Sequence, residues 1–113
     1  MTVRNRALLD LAHYCPCMVD IPHSCVGYNG CEPAHGDWAL TGRGIGHKAD
    51  DNAFAAACRN AHELLSPKVN DPMTREEKRE AWLRAHFKTM AFMWEHSWIS
   101  VNTKKAKREG TCA

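Results

Sequence analysis

Hydrophobic positions are most regular near the C-terminal end of the chain. Leu83, Phe87, Met90, Trp94 and Trp98 recur at intervals of 4, 3, 4 and 4, the spacing of one face of an α-helix of about six turns. Arg79, Glu80, Arg84 and Lys88 fall on the other side. Thr74 followed three residues later by Glu77 is a capping box, in which two otherwise unpaired helix amides are bonded reciprocally. The pattern predicts a helix over 74–98 with its aromatic stripe turned to the core. A weaker repeat over 3–13 puts Val3, Ala7, Leu8 and Leu11 on one side and Arg4, Arg6 and Asp10 elsewhere, predicting an N-terminal helix within 1–14.

The run NAFAAACRNAHELL, residues 52–65, is ambiguous. Its alanines favour helix, and Phe54, Ala57, Cys58, Ala61 and Leu65 keep helical spacing. A strand as far as Cys58, with helix only afterwards, fits so short an apolar run equally well. Before it, CPCMVDIPHSC has two prolines and alternation around Val19 and Ile21, which predicts a short strand or an extended knuckle. Asn29-Gly30 is a hairpin signal. Gly36, Gly42, Gly44 and Gly46 mark a loop over 36–50, long for so small a domain. Pro67 and Asp71-Pro72 separate this region from the last helix.

Composition narrows the class. A chain of 113 residues, 44% hydrophobic and 25% charged, suits one globular domain with a modest core. Domains of this size often use a metal or cross-links for support. The formal charge is only +2. The segment 102–113, however, carries Lys104, Lys105, Lys107 and Arg108 against Glu109 alone. Such a tail suits either a solvated terminus or contact with nucleic acid. There is no apolar run long enough to span a membrane. The start, MTVRNRALLDLAHYCPC, is charged too early for a secretory signal. The expected location is therefore the cytoplasm, where thiols stay reduced. Six cysteines then point to metal binding in preference to disulfides.

Cys17 and Cys25 flank the knuckle, and Cys58 stands at the head of the later helix. Thiolates from a turn and a helix start suit structural zinc, although buried cysteines also serve as small hydrophobes. His35 precedes the glycine-rich loop, and His62 follows Cys58 on the helix. A hydrolytic metal site needs a base titrating near neutrality and borderline or hard ligands for a divalent cation. His35, His62, Asp37 and Asp51 offer both. The loop GRGIGHK matches neither a P-loop nor a dinucleotide fingerprint, but it supplies backbone amides, Arg43 and Lys48 suited to a nucleic-acid phosphate backbone. Trp38, in the same loop, suits base stacking or a packed anchor.

Taken in order, CMVDIPHSC, Ala34-His35, GRGIGHKADD, Ala57-Cys58-x-x-x-His62 and a capped Trp-rich helix resemble the small prophage-encoded nucleases of the YbcO type. These are an offshoot of the HNH, or ββα-metal, endonucleases. Cys17 and Cys25 keep the seven-residue gap of that pattern, and Gly42, Gly44, Gly46, Lys48 and Asp51 fit its loop in register. The resemblance covers roughly residues 15–65. It implies an α+β fold, a small ββα-metal core over 15–66 with a zinc knuckle, flanked by an N-terminal helix and a long C-terminal helix. It makes residues 52–58 a strand and only the residues after Cys58 helical.

The resemblance further implies a metal-dependent endonuclease acting on DNA in phage or prophage metabolism, with duplex, single-stranded and branched substrates all open. His35 would be the general base. His62 would hold Mg²⁺ or Mn²⁺, joined by Asp51 and by Asp37, whose alternative role is to orient His35. Arg43, Lys48, Lys104, Lys105, Lys107 and Arg108 would hold the nucleic acid. Structural Zn²⁺ would sit on Cys17, Cys25 and Cys58. Two positions depart from the pattern. Ala61 stands where the family has its fourth zinc cysteine, and Thr41 where many relatives have histidine. Cys15, Cys31 and His23 are near enough to replace the missing thiolate, and Cys31 is favoured because its hairpin must run back toward the site. For a scaffold so altered, the alternative is a zinc module that binds nucleic acid or a host protein.

Overall fold

The computed structural model describes residues 3–26, 30–36, 49–67 and 71–101. Helix α1 (Arg6–Asp10) runs into a 3-10 turn, Leu11–Tyr14. Strands β1 (Glu32–His35) and β2 (Phe54–Ala57) form a two-stranded antiparallel sheet. Helix α2 (Arg59–Leu65) follows β2 at once, and α3 (Arg75–Glu95) closes the fold. This is a small α+β architecture, and none of its described helices is long and apolar enough to cross a membrane.

The N-terminal helix is shorter than its hydrophobic spacing predicts. Asn5 caps it by accepting a hydrogen bond from the Leu8 amide at 3.1 Å. Val3 is not helical, because residues 3–5 are tied to 50–51. The Val3 amide donates to Asp50 at 3.2 Å, the Asn5 amide donates to Asp51 at 2.6 Å, and the Asp51 amide donates to the Val3 carbonyl at 2.9 Å. Ala7 is exposed, whereas Ala12 is buried with Leu8, Leu9 and Leu11 packed beside it. The helical run ends at Cys15, held extended (ψ 150°) by the following Pro16.

The alanine-rich run resolves as strand and then helix. Phe54, Ala55, Ala56 and Ala57 are all fully buried, their side chains divided between the two faces of the sheet. Ala55 and Ala57 join a cluster with Cys58, Ala61, Leu65 and Trp82, while Phe54 and Ala56 join Ala12, Cys15 and Met93. A strand covered on both faces shows no polar alternation, so periodicity alone does not distinguish it from helix. Propensity yields to packing here.

The backbone groups of Ala56 on the side away from β1 are both bonded. In the sheet Pro33 lies opposite Ala56. Ala56 directs its amide to the Thr89 hydroxyl (2.9 Å) and its carbonyl to the Met18 amide (2.9 Å). Both groups point away from β1, so the N–H that Pro33 lacks is not missed in the ladder. The Met18 contact holds the CPCMVDIPHSC segment against β2. That segment forms an extended knuckle without a strand of its own. Asn29 lies outside the described residues; Gly30 takes the left-handed φ of +84° that favours glycine. Among the described residues no strand precedes it, so the Asn-Gly signal does not join two paired strands: β1 pairs with β2 across the long loop.

Helix α3 carries the expected capping box, with the Glu77 amide donating to Thr74 Oγ1 (3.1 Å) and the Thr74 amide to Glu77 Oε1 (2.9 Å). Its buried face is not the predicted stripe. Lys78, Ala81, Trp82, Ala85, Thr89 and Met93 face the core, whereas Phe87 is 67% and Trp94 51% exposed. Leu83, Met90 and Trp98 are half-buried. The small residues Ala81, Ala85 and Thr89 let the helix seat closely on the alanine-walled β2, a closeness that large side chains at those three positions would prevent. Lys78 is buried by pairing with the Asp71 carboxylate and donating to the Ser66 carbonyl, which pins Ser66 and Asp71 to α3. Arg79, Glu80, Arg84 and Lys88 face solvent, as their pattern predicts.

Candidate metal centre and histidine pocket

The knuckle and the start of α2 converge on one cluster. Cys17, His23, Cys25 and Cys58 place one donor atom each within 4.8 Å of all the others. Zinc bonds of about 2.3 Å to sulfur and 2.0 Å to nitrogen, arranged as a tetrahedron, separate neighbouring donors by roughly 3.5–3.8 Å. Cys17 Sγ and His23 Nε2 stand 3.6 Å apart, the length of such an edge. His23 Nδ1 lies 2.5 Å from the Ile21 carbonyl, a contact that requires the proton on Nδ1 and leaves the Nε2 lone pair for a metal. The Cys58 amide donates to Cys17 Sγ at 3.4 Å. Three thiols and one imidazole in this arrangement are consistent with a structural zinc site.

Electrostatics distinguish the sulfurs. Burial pushes the Cys17 thiol up to about 11, against hydrogen bonds from the Cys58 and Val19 backbone. Cys58 is also raised by burial, but backbone contacts at Val26 and Ala61, and the side chains of Cys17 and His23, bring it down to about 6. Cys15 is raised to about 11 by burial alone. Cys31 is raised to about 12, by burial first and then by the neighbouring sulfurs of Cys17, Cys58, Cys25 and Cys15.

The fourth member of this cluster is His23, whereas the sequence reading favours Cys31 as the fourth ligand. Cys31 lies just before β1, buried in the core beside the cluster but outside the group of mutually close donors. The turn of the knuckle brings His23 Nε2 back onto Cys17. Cys17-x5-His23-x-Cys25 is the sequence signal for it, since a histidine inside the knuckle comes close to the two cysteines without help from the hairpin. Ala61 is fully buried in the same core cluster as Cys58.

A second feature opens between β1 and α2. His35, the last residue of β1, and His62, on α2, line one pocket of about 150 Å³ together with Pro33, Ala34, Leu65 and Ser66. Helix α2 is oriented by its N-cap residue Cys58, whose carbonyl accepts the His62 amide at 2.8 Å, and by Asn60, which donates to the Ser24 carbonyl of the knuckle at 2.6 Å. Trp82 supports β1 from the core by donating its indole N–H to the Ala34 carbonyl at 2.8 Å. The metal cluster and the pocket thus share α2 as a common wall.

Other candidate residues separate. Asp51 accepts the Asn5 amide and lies 3.8 Å from Arg4, so its carboxylate is engaged with the N-terminal segment and does not line the histidine pocket. Asp37, Arg43, Lys48, Trp38 and Thr41, with Lys104, Lys105, Lys107 and Arg108, lie outside the described residues. Glu32, which the sequence pattern did not single out, places Oε1 2.5 Å from His62 Nδ1. The packing of β1 against α2 brings a residue thirty positions away to that imidazole.

No family model matches the chain, and no curated protein matches it. Among solved structures, its fold is similar to that of a protein described as a putative bacteriophage protein from Escherichia coli strain K-12 substrain MG1655. The TM-score is 0.57 at 18% identity, over 78% of this chain and 96% of that one. At that identity the likeness is one of fold, and it extends over nearly the whole of the bacteriophage protein.

Proposed function

We propose that this chain is a metal-dependent endonuclease of the HNH-like, ββα-metal type, hydrolysing DNA phosphodiester bonds in phage or prophage DNA metabolism. The observation that carries this reading is the shared pocket of His35 and His62 on a strand-strand-helix unit. The adjoining Cys/His cluster and the likeness to a bacteriophage protein support it. In this reading His35 takes a proton from the attacking water, and His62 contributes to binding a divalent cation. Such a cation, Mg²⁺ or Mn²⁺, supplies charge stabilisation to the phosphate and the leaving oxygen. Zinc at the Cys/His cluster is structural and fixes α2, and with it His62, relative to the sheet. Asp37 stands two residues beyond His35 to orient it or join the cation. Arg43, Lys48 and the basic tail hold the phosphate backbone.

The test is nicking of supercoiled plasmid in Mg²⁺ or Mn²⁺ by the natural chain and by His35→Ala. Loss of a general base reduces the rate by roughly 100-fold or more, while zinc content and DNA binding persist. A natural chain that stays folded and does not nick the plasmid contradicts the reading.

One observation favours a second reading, a zinc module that binds nucleic acid or a host protein without cleaving. Among the described residues, the mutually close metal donors number three or more only at the Cys/His cluster. That reading predicts binding that falls steeply with salt if the partner is nucleic acid, and no cleavage with any divalent metal.

A further inference from the structure

The stripe that hydrophobicity would turn to the core lies on the outer side of α3. Leu83, Phe87, Met90 and Trp94 follow one another at intervals of 4, 3 and 4, the spacing of a seam between two paired helices. The buried face of the helix is Ala81, Trp82, Ala85, Thr89 and Met93. At 3.6 residues per turn, Phe87 and Trp94 project from the opposite side. Phe87 is 67% and Trp94 51% exposed, while Leu83 and Met90 are half-buried and reach the two core clusters from the margin of the stripe. A row of large apolar side chains rimmed by polar groups marks an interaction surface. The rim here is mixed in sign, with Glu80 and Glu95 set among Arg84 and Lys88, all of them exposed. Carboxylates in that position disfavour a nucleic-acid backbone and suit a partner with the same alternation of charge.

We infer that this face is a homodimer interface, in which α3 of one copy lies antiparallel on α3 of a second. A two-fold axis level with the space between Lys88 and Thr89 sets Leu83 against Trp94 of the second copy, and Phe87 against its Met90. Each layer pairs a ring with a flexible aliphatic side chain, and each occurs twice, as an isologous interface requires. The same arrangement brings Arg84 alongside the second copy's Glu95, again twice. Glu80 falls opposite the second copy's Ser97, past the end of its helix at Glu95. A parallel pairing would instead put Arg84 level with Arg84 and Glu95 level with Glu95, and lose both attractions. From Leu83 to Trp94 the seam is about 17 Å long. Phe87 and Trp94 each offer roughly 100 Å² of surface, or about 400 Å² over two copies. With the flanking side chains the total comes to about 1,000 Å², the lower end of specific interfaces, which places dissociation in the micromolar range. The residues lining the His35–His62 pocket all lie outside α3, so the dimer stands independently of the nuclease reading.

The test is sedimentation velocity of the full zinc-loaded chain from about 1 to about 300 µM, a range that brackets micromolar dissociation. The natural chain should pass from monomer to dimer, and Phe87→Ser and Trp94→Ser should each raise the midpoint concentration roughly tenfold or more. Both positions are exposed, so dilute samples of the variants should keep the far-UV circular dichroism of the natural chain. Charge reversal tests the register. Arg84→Glu and Glu95→Arg should each self-associate more weakly, and an equimolar mixture of the two should recover the dimer, because every Arg84–Glu95 contact is then between opposite charges. A natural chain that stays monomeric throughout overturns the inference. So does a dimer indifferent to Phe87→Ser and Trp94→Ser, or a mixture of the charge variants that remains monomeric. A monomeric natural chain whose binding to single-stranded oligothymidylate is lost in Trp94→Ser overturns it in favour of base stacking on this face.

Discussion

Thr89 joins the long helix to the sheet by a single hydroxyl. It accepts the Ala56 amide of β2 at 2.9 Å and donates to the Ala85 carbonyl one turn back at 2.7 Å. Both Thr89 and Ala56 are fully buried. Thr89→Val keeps the shape and removes the acceptor, leaving a buried amide unsatisfied, which costs about 1–3 kcal/mol. Thr89→Ser restores the bond. Urea unfolding of the zinc-loaded proteins should therefore place the valine variant well below the serine variant in midpoint, at unchanged slope.

The Cys/His cluster predicts a specific rescue. His23→Ala removes one donor of four and should lower zinc affinity by on the order of 100-fold, at least the loss seen when an outer-shell partner is removed. Ala61 has its backbone beside the Cys58 sulfur. Adding Ala61→Cys to His23→Ala should recover zinc, measured as metal retained against a competing chelator. Cys31→Ala should leave zinc content unchanged, and loss of zinc in that variant would restore Cys31 to the ligand set.

The two faces of α3 should respond oppositely to truncation. Met93 is fully buried among Ala12, Cys15, Phe54 and Ala56, so Met93→Ala should cost about 2–5 kcal/mol. Phe87 is largely exposed, and Phe87→Ser should stay within about 0.5 kcal/mol of the natural chain. Thermal unfolding of the two variants decides between this face and the stripe read from the sequence.

A pH effect comes from Asp20. Arg84 grips its carboxylate with two nitrogens at 3.0 and 3.1 Å, and Lys88 adds a third contact at 3.2 Å. Hydrogen bonding from Arg84 leads the causes that lower Asp20 from 3.8 to about 2. A carboxyl lowered on folding stabilises the native state above its unfolded value, and that contribution disappears as pH falls from about 4 to about 2. The three side chains are 36–51% exposed, so screening keeps the contribution below about 1 kcal/mol. Asp20→Asn should lower the urea midpoint slightly at pH 7 in low salt, and the gap should close near pH 2.

What the sequence discloses depends on which forces leave a local trace. The Thr74–Glu77 box is a contact between near neighbours, and it stands where the spacing places it. The strand Phe54–Ala57 leaves no trace of alternation, because both of its faces are covered; the resemblance to a known nuclease pattern locates it where propensity favours helix. The phase of α3 is misread for a related reason. Hydrophobicity singles out Phe87 and Trp94, but the surface it packs against is made of alanines and selects Ala81, Ala85 and Thr89. At the candidate sites, Cys17, Cys25 and Cys58 are visible from spacing, and His35 and His62 from their places beside a loop and a cysteine. His23 is adjacent in sequence yet hard to rank against Cys31, since the choice turns on how tightly the knuckle bends. Glu32 gives no signal at all, because its partner is thirty residues away.

The backbone-to-sulfur contact between Cys58 and Cys17 spans 41 positions, and the intervening segment contains both strands and His35. A zinc ion held by both residues would act on the unfolded chain as a tether as well as on the folded one. A covalent link closing a loop of that size removes roughly 4 kcal/mol worth of unfolded-state entropy at 25 °C. A metal tether works in the same direction while it stays bound, and it brings β1 and β2 within reach before either has formed. Zinc supplied at the start of refolding should therefore speed formation of the sheet, whereas zinc added afterwards can only hold what the untethered chain has already found.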